Sequence, residues 1–319
     1  MKYKSLVILF ALIILCIPIR AYAGQLSGRT IILDPGHGQN SSPRYGAYIE
    51  HVAMLGLALE MRTILEYHGA RVILTRDSFD YVHLAVRAAI INIASLEALL
   101  NEHTDDIVTA EINRLIGIMQ RIIRNPAVYA PIYFNYPFDW DNQTTIHPDL
   151  YRIFMWQARR EVSHNFLMIS LHSNASDNPY VNGADVFHST NYHPNGRTYF
   201  AGRTTYIKTG IFGNYLLRYI SAIGIRGNRT RAGNFFVIRE NNIPSVLVEN
   251  GYHTNPRDRA LLMCSIFMSN LAHAYVDAII SYFNAIDPRN IPTLSRLQGI
   301  INRLTFPHPG FLYKQHIIY

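Results

Sequence analysis

Cysteine is nearly absent. Cys16 and Cys264 are the two in 319 residues, and Cys16 lies in an amino-terminal apolar run. With that run gone only Cys264 remains, which excludes an intramolecular disulfide and a cysteine cage for zinc, so any metal must be held by His and carboxylates. Long apolar runs are scarce as well. The run Leu6–Ile19 contains Pro18 and falls short of the roughly 20 residues that span a bilayer. Lys2 and Lys4 precede it and Ala21-Tyr22-Ala23 follow it, the layout of a secretory signal (residues 1–23) cleaved after Ala23. That predicts a periplasmic or secreted chain with no membrane anchor after cleavage. Charge is sparse too: charged residues make up 16% of the chain, and the formal net charge of +7 drops by three when Lys2, Lys4 and Arg20 leave with the signal. The remaining excess is mild. Its clusters, Arg159-Arg160 and Arg226, Arg229 and Arg231, are too short to argue for nucleic acid and read as solvated faces. A polyanionic polymer is compatible with this balance. Internal repeats and low-complexity tracts are also missing, and what remains after Ala23 suffices for one large or two ordinary domains with a buried core.

What is present alternates. Thr30–Leu33 is a short β-branched run closed by Asp34-Pro35-Gly36, a buried strand ending in a turn. Val52, Leu55, Leu59, Ile64 and Leu65 recur at helical spacing with Gly69 as a stop, and Arg71–Thr75 reads as the next strand. The order repeats, with strands expected at Phe166–Leu171, Ala184–His188, Phe235–Ile238 and Val246–Val248, and helices near 199–223 and 258–284. Such alternation predicts an α/β sandwich, a mostly parallel sheet with helices on both sides. One stretch breaks the alternation. Residues 95–124 carry a long helical pattern, followed by an aromatic loop at 129–140, and both look like an insertion between a helix bearing Arg87 and one at Leu150–Val162. The residues after Ala285 hold several prolines without a period and read as a strap or loose end.

Three residues where strands hand over to loops or helices are candidate zinc ligands: His37 after the first strand, Glu50 at the start of the following helix, and His172 at the end of the Phe166 strand. In an open α/β sheet the carboxyl ends of strands converge on one crevice, so distant residues can meet there. Two imidazoles and a carboxylate leave a fourth tetrahedral position for water, as in catalytic zinc sites. Each residue has a plainer explanation. With 14 His in the chain any one of them is more commonly a surface or core residue, His51 is a rival ligand beside Glu50, and an acid in a first helical turn is favoured by the helix dipole. A fourth residue, Glu249, ends the apolar run Ser245–Val248, where a carboxylate is costly unless paired or used.

These residues lie in blocks by which the chain resembles the zinc-dependent N-acetylmuramoyl-L-alanine amidases of the type 3 family. The blocks are Ile-Leu-Asp-Pro-Gly-His-Gly at 32–38, Gly-Ala before Glu50, Ile-Leu-Thr-Arg-Asp at 73–77, Ser-Leu-His-Ser-Asn-Ala at 170–175, Gly-Ala-Asp-Val-Phe at 183–187, and Ile-Pro-Ser-Val-Leu-Val-Glu-Asn-Gly-Tyr-His-Thr-Asn at 243–255. The resemblance covers about 28–92 and 160–284. It implies a twisted sheet of about six strands flanked by helices, His37, Glu50 and His172 as ligands of Zn2+, Glu249 as the catalytic carboxylate, and hydrolysis of the amide between N-acetylmuramic acid and L-alanine in peptidoglycan. The implied layout is a catalytic domain at 24–285, an insertion at about 93–160 without counterpart in the minimal family domain, and a tail at 286–319. The segment between His37 and Glu50 is short and lacks the family's usual Gly-Gly after the His.

Two rivals change the function, the first of them keeping the fold. A non-catalytic peptidoglycan-binding or regulatory module would be marked by loss of a ligand or of the carboxylate, and all four residues are here. A zinc carboxypeptidase acting on the stem peptide would differ in its products. Asn174 and the Arg229–Arg231 segment are candidates for orienting substrate, with turn residues as the plain alternative. The insertion has three readings. Its acids Glu97, Glu102, Asp105, Asp106 and Glu111 either reach the open metal position or form the solvated face opposite an apolar stripe, the commoner outcome. Its rings either stack on sugars or pack the insertion onto the domain. A regulatory protein acting through it is the third.

Overall fold

The computed structural model describes residues 24–134, 146–189 and 203–287. The first half runs β1 (Thr30–Pro35), a two-stranded hairpin of β2 (Arg44–Tyr45) and β3 (Tyr48–Ile49), α1 (Glu50–Tyr67) and β4 (Arg71–Leu74). A helical group follows: α2 (Leu84–Leu100), α3 (Asp106–Arg124), α4 (Pro126–Tyr133), α5 (Pro148–Gln157) and α6 (Arg160–Ser163). The second half runs β5 (Phe166–Asn174), β6 (Ala184–Ser189), α7 (Arg203–Ala222), β7 (Gly227–Gly233), α8 (Phe236–Arg239), β8 (Ser245–Tyr252), α9 (Pro256–Leu262) and α10 (Ser265–Ile286). Among the described residues no single helix is long and apolar enough to cross a membrane.

Six strands form one sheet in the order β4-β1-β5-β8-β6-β7, and every neighbouring pair is parallel except β6 with β8. Successive strand residues point to opposite faces, and both faces are covered. Ile31 and Leu33 enter one core with α1, α7 and α10, whereas Ile32, Met168 and Leu247 enter the other with α2, α3 and α5. Burial on both sides is why the central strands read as unbroken apolar runs. β1, β5 and β8 lie side by side and parallel, so their carboxyl ends share one edge, with Pro35 paired to Leu171 and His172 paired to Glu249.

Several expected elements differ. The helical pattern at 95–124 is two helices, because the polar run 101–105 interrupts it and Asp105 caps α3, its carboxylate accepting from the Ile107 and Val108 amides at 2.9 Å. Phe235–Ile238 is not a strand. Four apolar residues carry no decisive period, and they form the buried turn α8, while Gly227–Gly233 supplies the sixth strand. The Leu150–Val162 helix is split into α5 and α6. Arg229–Arg231 lie on strand β7 and are not turn residues. The signal at 1–23, the aromatic positions from 135 to 140 and the tail beyond 287 fall outside the described residues.

Candidate metal centre

The turn after β1 is built so that an imidazole stands at the edge of the sheet. His37 has φ 59°, the left-handed region a bulky residue enters only when its surroundings enforce it. Two buried guanidiniums do so. Arg76 donates to the carbonyls of Pro35 (2.9 Å), Gly36 (2.8 Å) and His51 (2.9 Å), and Arg87 donates to those of Pro35 (2.6 Å) and His37. Arg87 also pairs with Asp34 at 2.8 Å, both side chains being 2% exposed. Asp34 further accepts from Thr75 at 2.5 Å and Ser170 at 2.6 Å. Burial works against its charge, but Arg87 and these hydroxyls hold its carboxyl below the ordinary value.

Glu50 reaches the same edge by another route. The short segment after His37 folds into the β2–β3 hairpin, which delivers Glu50 as the first residue of α1 with 1% exposure. Three groups converge on its Oε1: His172 Nδ1 at 3.1 Å, His37 Nε2 at 3.3 Å and the Ser173 amide at 3.0 Å. Its Oε2 is buried without a hydrogen-bond partner. The His37 and His172 rings meet edge to face with centroids 4.8 Å apart. Burial disfavours the Glu50 carboxylate, yet the bonds from His172 and His37 prevail and bring it down to about 2. His172 moves the other way: burial opposes its protonation, but the bond to Glu50 outweighs it and raises its pKa.

One ligand atom from each of His37, Glu50 and His172 fits within 4.8 Å, so the three sequence candidates meet. His51 does not join them. It is 4% exposed, its ring edge faces Phe79, and its Nδ1 has no hydrogen-bond partner. Glu249 sits across the strand pair from His172, with Oε2 buried and unpartnered. Burial pushes its carboxyl up to about 7, a rise that nearby His172 only partly offsets. His37, Glu50, His172 and Glu249 line a cleft of about 510 Å3 whose other walls include Tyr81, Leu84, Asn174, Asn234, Phe235 and Phe236.

Asn174 lines this cleft, and Arg229 and Arg231 lie 3.8 and 3.9 Å from Asp185, the residue paired in register with Glu249, with Arg231 over the Phe187 ring. The insertion acids keep to the solvated face: Asp105 caps α3, Glu111 binds Arg114 and Arg152, and Glu97 lies 3.8 Å from Arg71. The described rings of the aromatic segment pack onto the domain, Tyr129 and Tyr133 partly buried against its core and Phe134 against Phe236 at 5.5 Å. Asp34, Arg76 and Arg87 carry no role in the sequence pattern. Asp34 gave the same signal as Glu249, a carboxylate closing an apolar strand. The two arginines gave none, since their value lies in carbonyls distant in sequence.

The fold and this cleft define an α/β protein in which a His-Glu-His cluster able to hold a metal ion lies beside a buried carboxylate. Comparison with known proteins narrows the class. The family model described as N-acetylmuramoyl-L-alanine amidase matches residues 31–114 and 152–281, and the chain belongs to that family. The amidase AmiA of Salmonella typhimurium is 26% identical over 275 residues, covering 85% of this chain and 81% of the relative. AmiA of Escherichia coli is 25% identical over 264 residues, covering 81% and 78%. The solved N-acetylmuramyl-L-alanine amidase of Mycobacterium smegmatis shares the fold at 17% identity, with a TM-score of 0.52 over 82% of this chain and 99% of that one. The activity is that of a peptidoglycan amidase, and the family match leaves residues 115–151 outside it.

Proposed function

We propose that the chain hydrolyses the bond between N-acetylmuramic acid and L-alanine of peptidoglycan stem peptides with one zinc ion held by His37, Glu50 and His172. The observation that carries this reading is the convergence of the three side chains while Glu50 Oε2 stays buried and unpartnered. A buried carboxylate oxygen without a partner is costly, and imidazole nitrogen with carboxylate oxygen is a donor set suited to zinc. When bound, zinc would supply Lewis acidity toward the amide carbonyl and water. Glu249 is the proton carrier. It takes a proton from the attacking water as the oxygen bonds to the carbonyl carbon, and passes it to the nitrogen of L-alanine as the C–N bond breaks. Its burial, which disfavours a fixed charge, suits a carboxyl that accepts a proton and returns it. Asn174, on the cleft wall, is placed to orient substrate.

The same reading assigns residues 1–23 to a cleaved export signal, 24–285 to the catalytic unit with its insertion, and 286–319 to a tail. Export to the periplasm or the exterior accords with a substrate that lies outside the cytoplasm, and the role is wall remodelling or daughter-cell separation. A regulatory protein would meet the helical insertion on its outer side, where Ile107, Val128 and Ile132 are exposed. The test is direct. Purified protein should carry one zinc and release intact stem peptides with a new L-alanine amino terminus. Glu249→Gln should cut kcat by about 10^2 to 10^4, the share a positioned proton carrier supplies, with zinc retained, and His172→Ala should lose the metal. Normal turnover in the first variant, unchanged zinc in the second, or trimmed peptides as product would reject the assignment.

A further inference from the structure

Behind the three ligand side chains lies a second set of hydrogen bonds that ligation alone does not require. Tyr48 Oη donates to Ser173 Oγ at 2.8 Å, and Ser173 Oγ meets His253 Nδ1 at 3.0 Å. The three side chains come from β3, from β5 and from the residue just beyond β8, and they are 2%, 5% and 4% exposed. The Tyr48 and His253 rings stack with centroids 5.6 Å apart and planes 18° from parallel. Phenylalanine, alanine and leucine would fill similar space without burying polar atoms, which are costly unless bonded. Each residue also has a short link to the proposed chemistry. Tyr48 stands two residues before Glu50, Ser173 follows His172, and the Ser173 amide donates to Glu50 Oε1 at 3.0 Å. His253, whose own amide donates to Asn174 at 2.9 Å, lines the cleft together with Ser173.

We propose that Tyr48, Ser173 and His253 are positioning residues that fix the Glu50–His172 half of the metal centre, an inference that rests on the zinc reading above. Tyr48 donates to Ser173 Oγ, and Ser173 Oγ shares a hydrogen bond with His253 Nδ1. The contacts close a ring: from Tyr48 along the chain to Glu50, from Glu50 Oε1 to the Ser173 amide, and from Ser173 Oγ back to Tyr48. That ring sets the start of α1 against the end of β5, and so sets carboxylate against imidazole. His253 ties the ring to β8, the strand of Glu249. Partners behind metal ligands commonly govern affinity by about 10- to 100-fold.

The test is zinc affinity of the apo protein by competition with a chromophoric chelator, with circular dichroism melting to establish that each variant is folded. Wild type should bind zinc and His172→Ala should not. Tyr48→Phe, which keeps the ring and removes only the donor, and Ser173→Ala should each weaken zinc about 10- to 100-fold. The double variant should be no weaker than Ser173→Ala alone, because both act on one relay. His253→Asn, which puts an amide where Nδ1 lies, should keep most of the affinity that His253→Leu loses. Where Ser173→Ala does not fold, Tyr48→Phe decides. Wild-type zinc affinity in folded Tyr48→Phe overturns the relay while leaving the zinc reading intact; a wild type that binds no zinc overturns both.

Discussion

Lys208 is 4% exposed, and its ammonium donates to the Ser163 carbonyl at 2.7 Å and meets His164 Nδ1 at 3.1 Å, with no carboxylate in that set. Burial, reinforced by Arg160, pulls its pKa from 10.5 down to about 7. The folded chain therefore sheds a proton that the unfolded chain keeps between those values, so stability rises with pH across that window and the cost of the buried charge is complete below it. The unfolding free energy of wild type minus that of Lys208→Met should climb from pH 7 to pH 10, as measured by urea denaturation at several pH values; a flat difference would refute this. Lys208 gave no sign of itself in the sequence, because a lysine announces neither its burial nor its neighbours. The site ligands were legible for the opposite reason. His37, Glu50 and His172 stand at the ends of recognisable strands or the start of a helix, and Glu249 interrupts an apolar run. Gly36 was legible only as part of a turn, although its real constraint is spatial: a Cβ there would lie 2.4 Å from the His172 ring.

At the scale of elements, the loop between α8 and β8 joins a wall of the cleft to the strand of Glu249, and a buried polar network fastens it. Gln157 at the end of α5 donates to Asn92 at 2.7 Å and to Ser95 at 2.9 Å, and accepts from the Asn242 amide at 2.6 Å. Asn92 in turn donates to the Glu240 carbonyl at 2.9 Å. Gln157→Leu keeps comparable bulk but strands Asn92 Oδ1 and the Asn242 amide, and each buried orphan costs about 1–3 kcal/mol. The variant should thus lose several kcal/mol of unfolding free energy by urea titration, and a loss below about 1 kcal/mol would show that the network does not hold the loop. None of this was readable beforehand, since Asn92 and Gln157 sit in apolar helical patterns where a polar residue looks like an exposed position. The strands and long helices were readable, because burial of both sheet faces writes continuous apolar runs into β1, β5 and β8. Where the period was weak, at 235–238, or broken by a polar run, at 101–105, the element type or its ends could not be read.

For the molecule as a whole, the two cores share one sheet, since Ile31 and Ile32 face opposite layers from the same strand. The proposed ligands stand on three separate segments: the turn after β1, the first residue of α1, and β5. A metal held there would bridge segments more than a hundred residues apart and would bind the folded chain far better than the unfolded one. Binding to the folded state alone stabilises by about 2.7 kcal/mol at a free zinc concentration 100 times Kd. For a domain of this size that is a rise in Tm of about 5 °C. Differential scanning calorimetry of chelator-stripped protein should show the shift on adding zinc. It should vanish in His37→Ala, which removes a ligand, and persist in Glu249→Gln, whose carboxyl stands outside the ligand set. With 14 His in the chain, adventitious binding is the competing explanation, and it makes the opposite forecast: a shift that survives in His37→Ala. A wild type whose Tm ignores zinc would leave the buried Glu50 oxygen without the partner assigned to it.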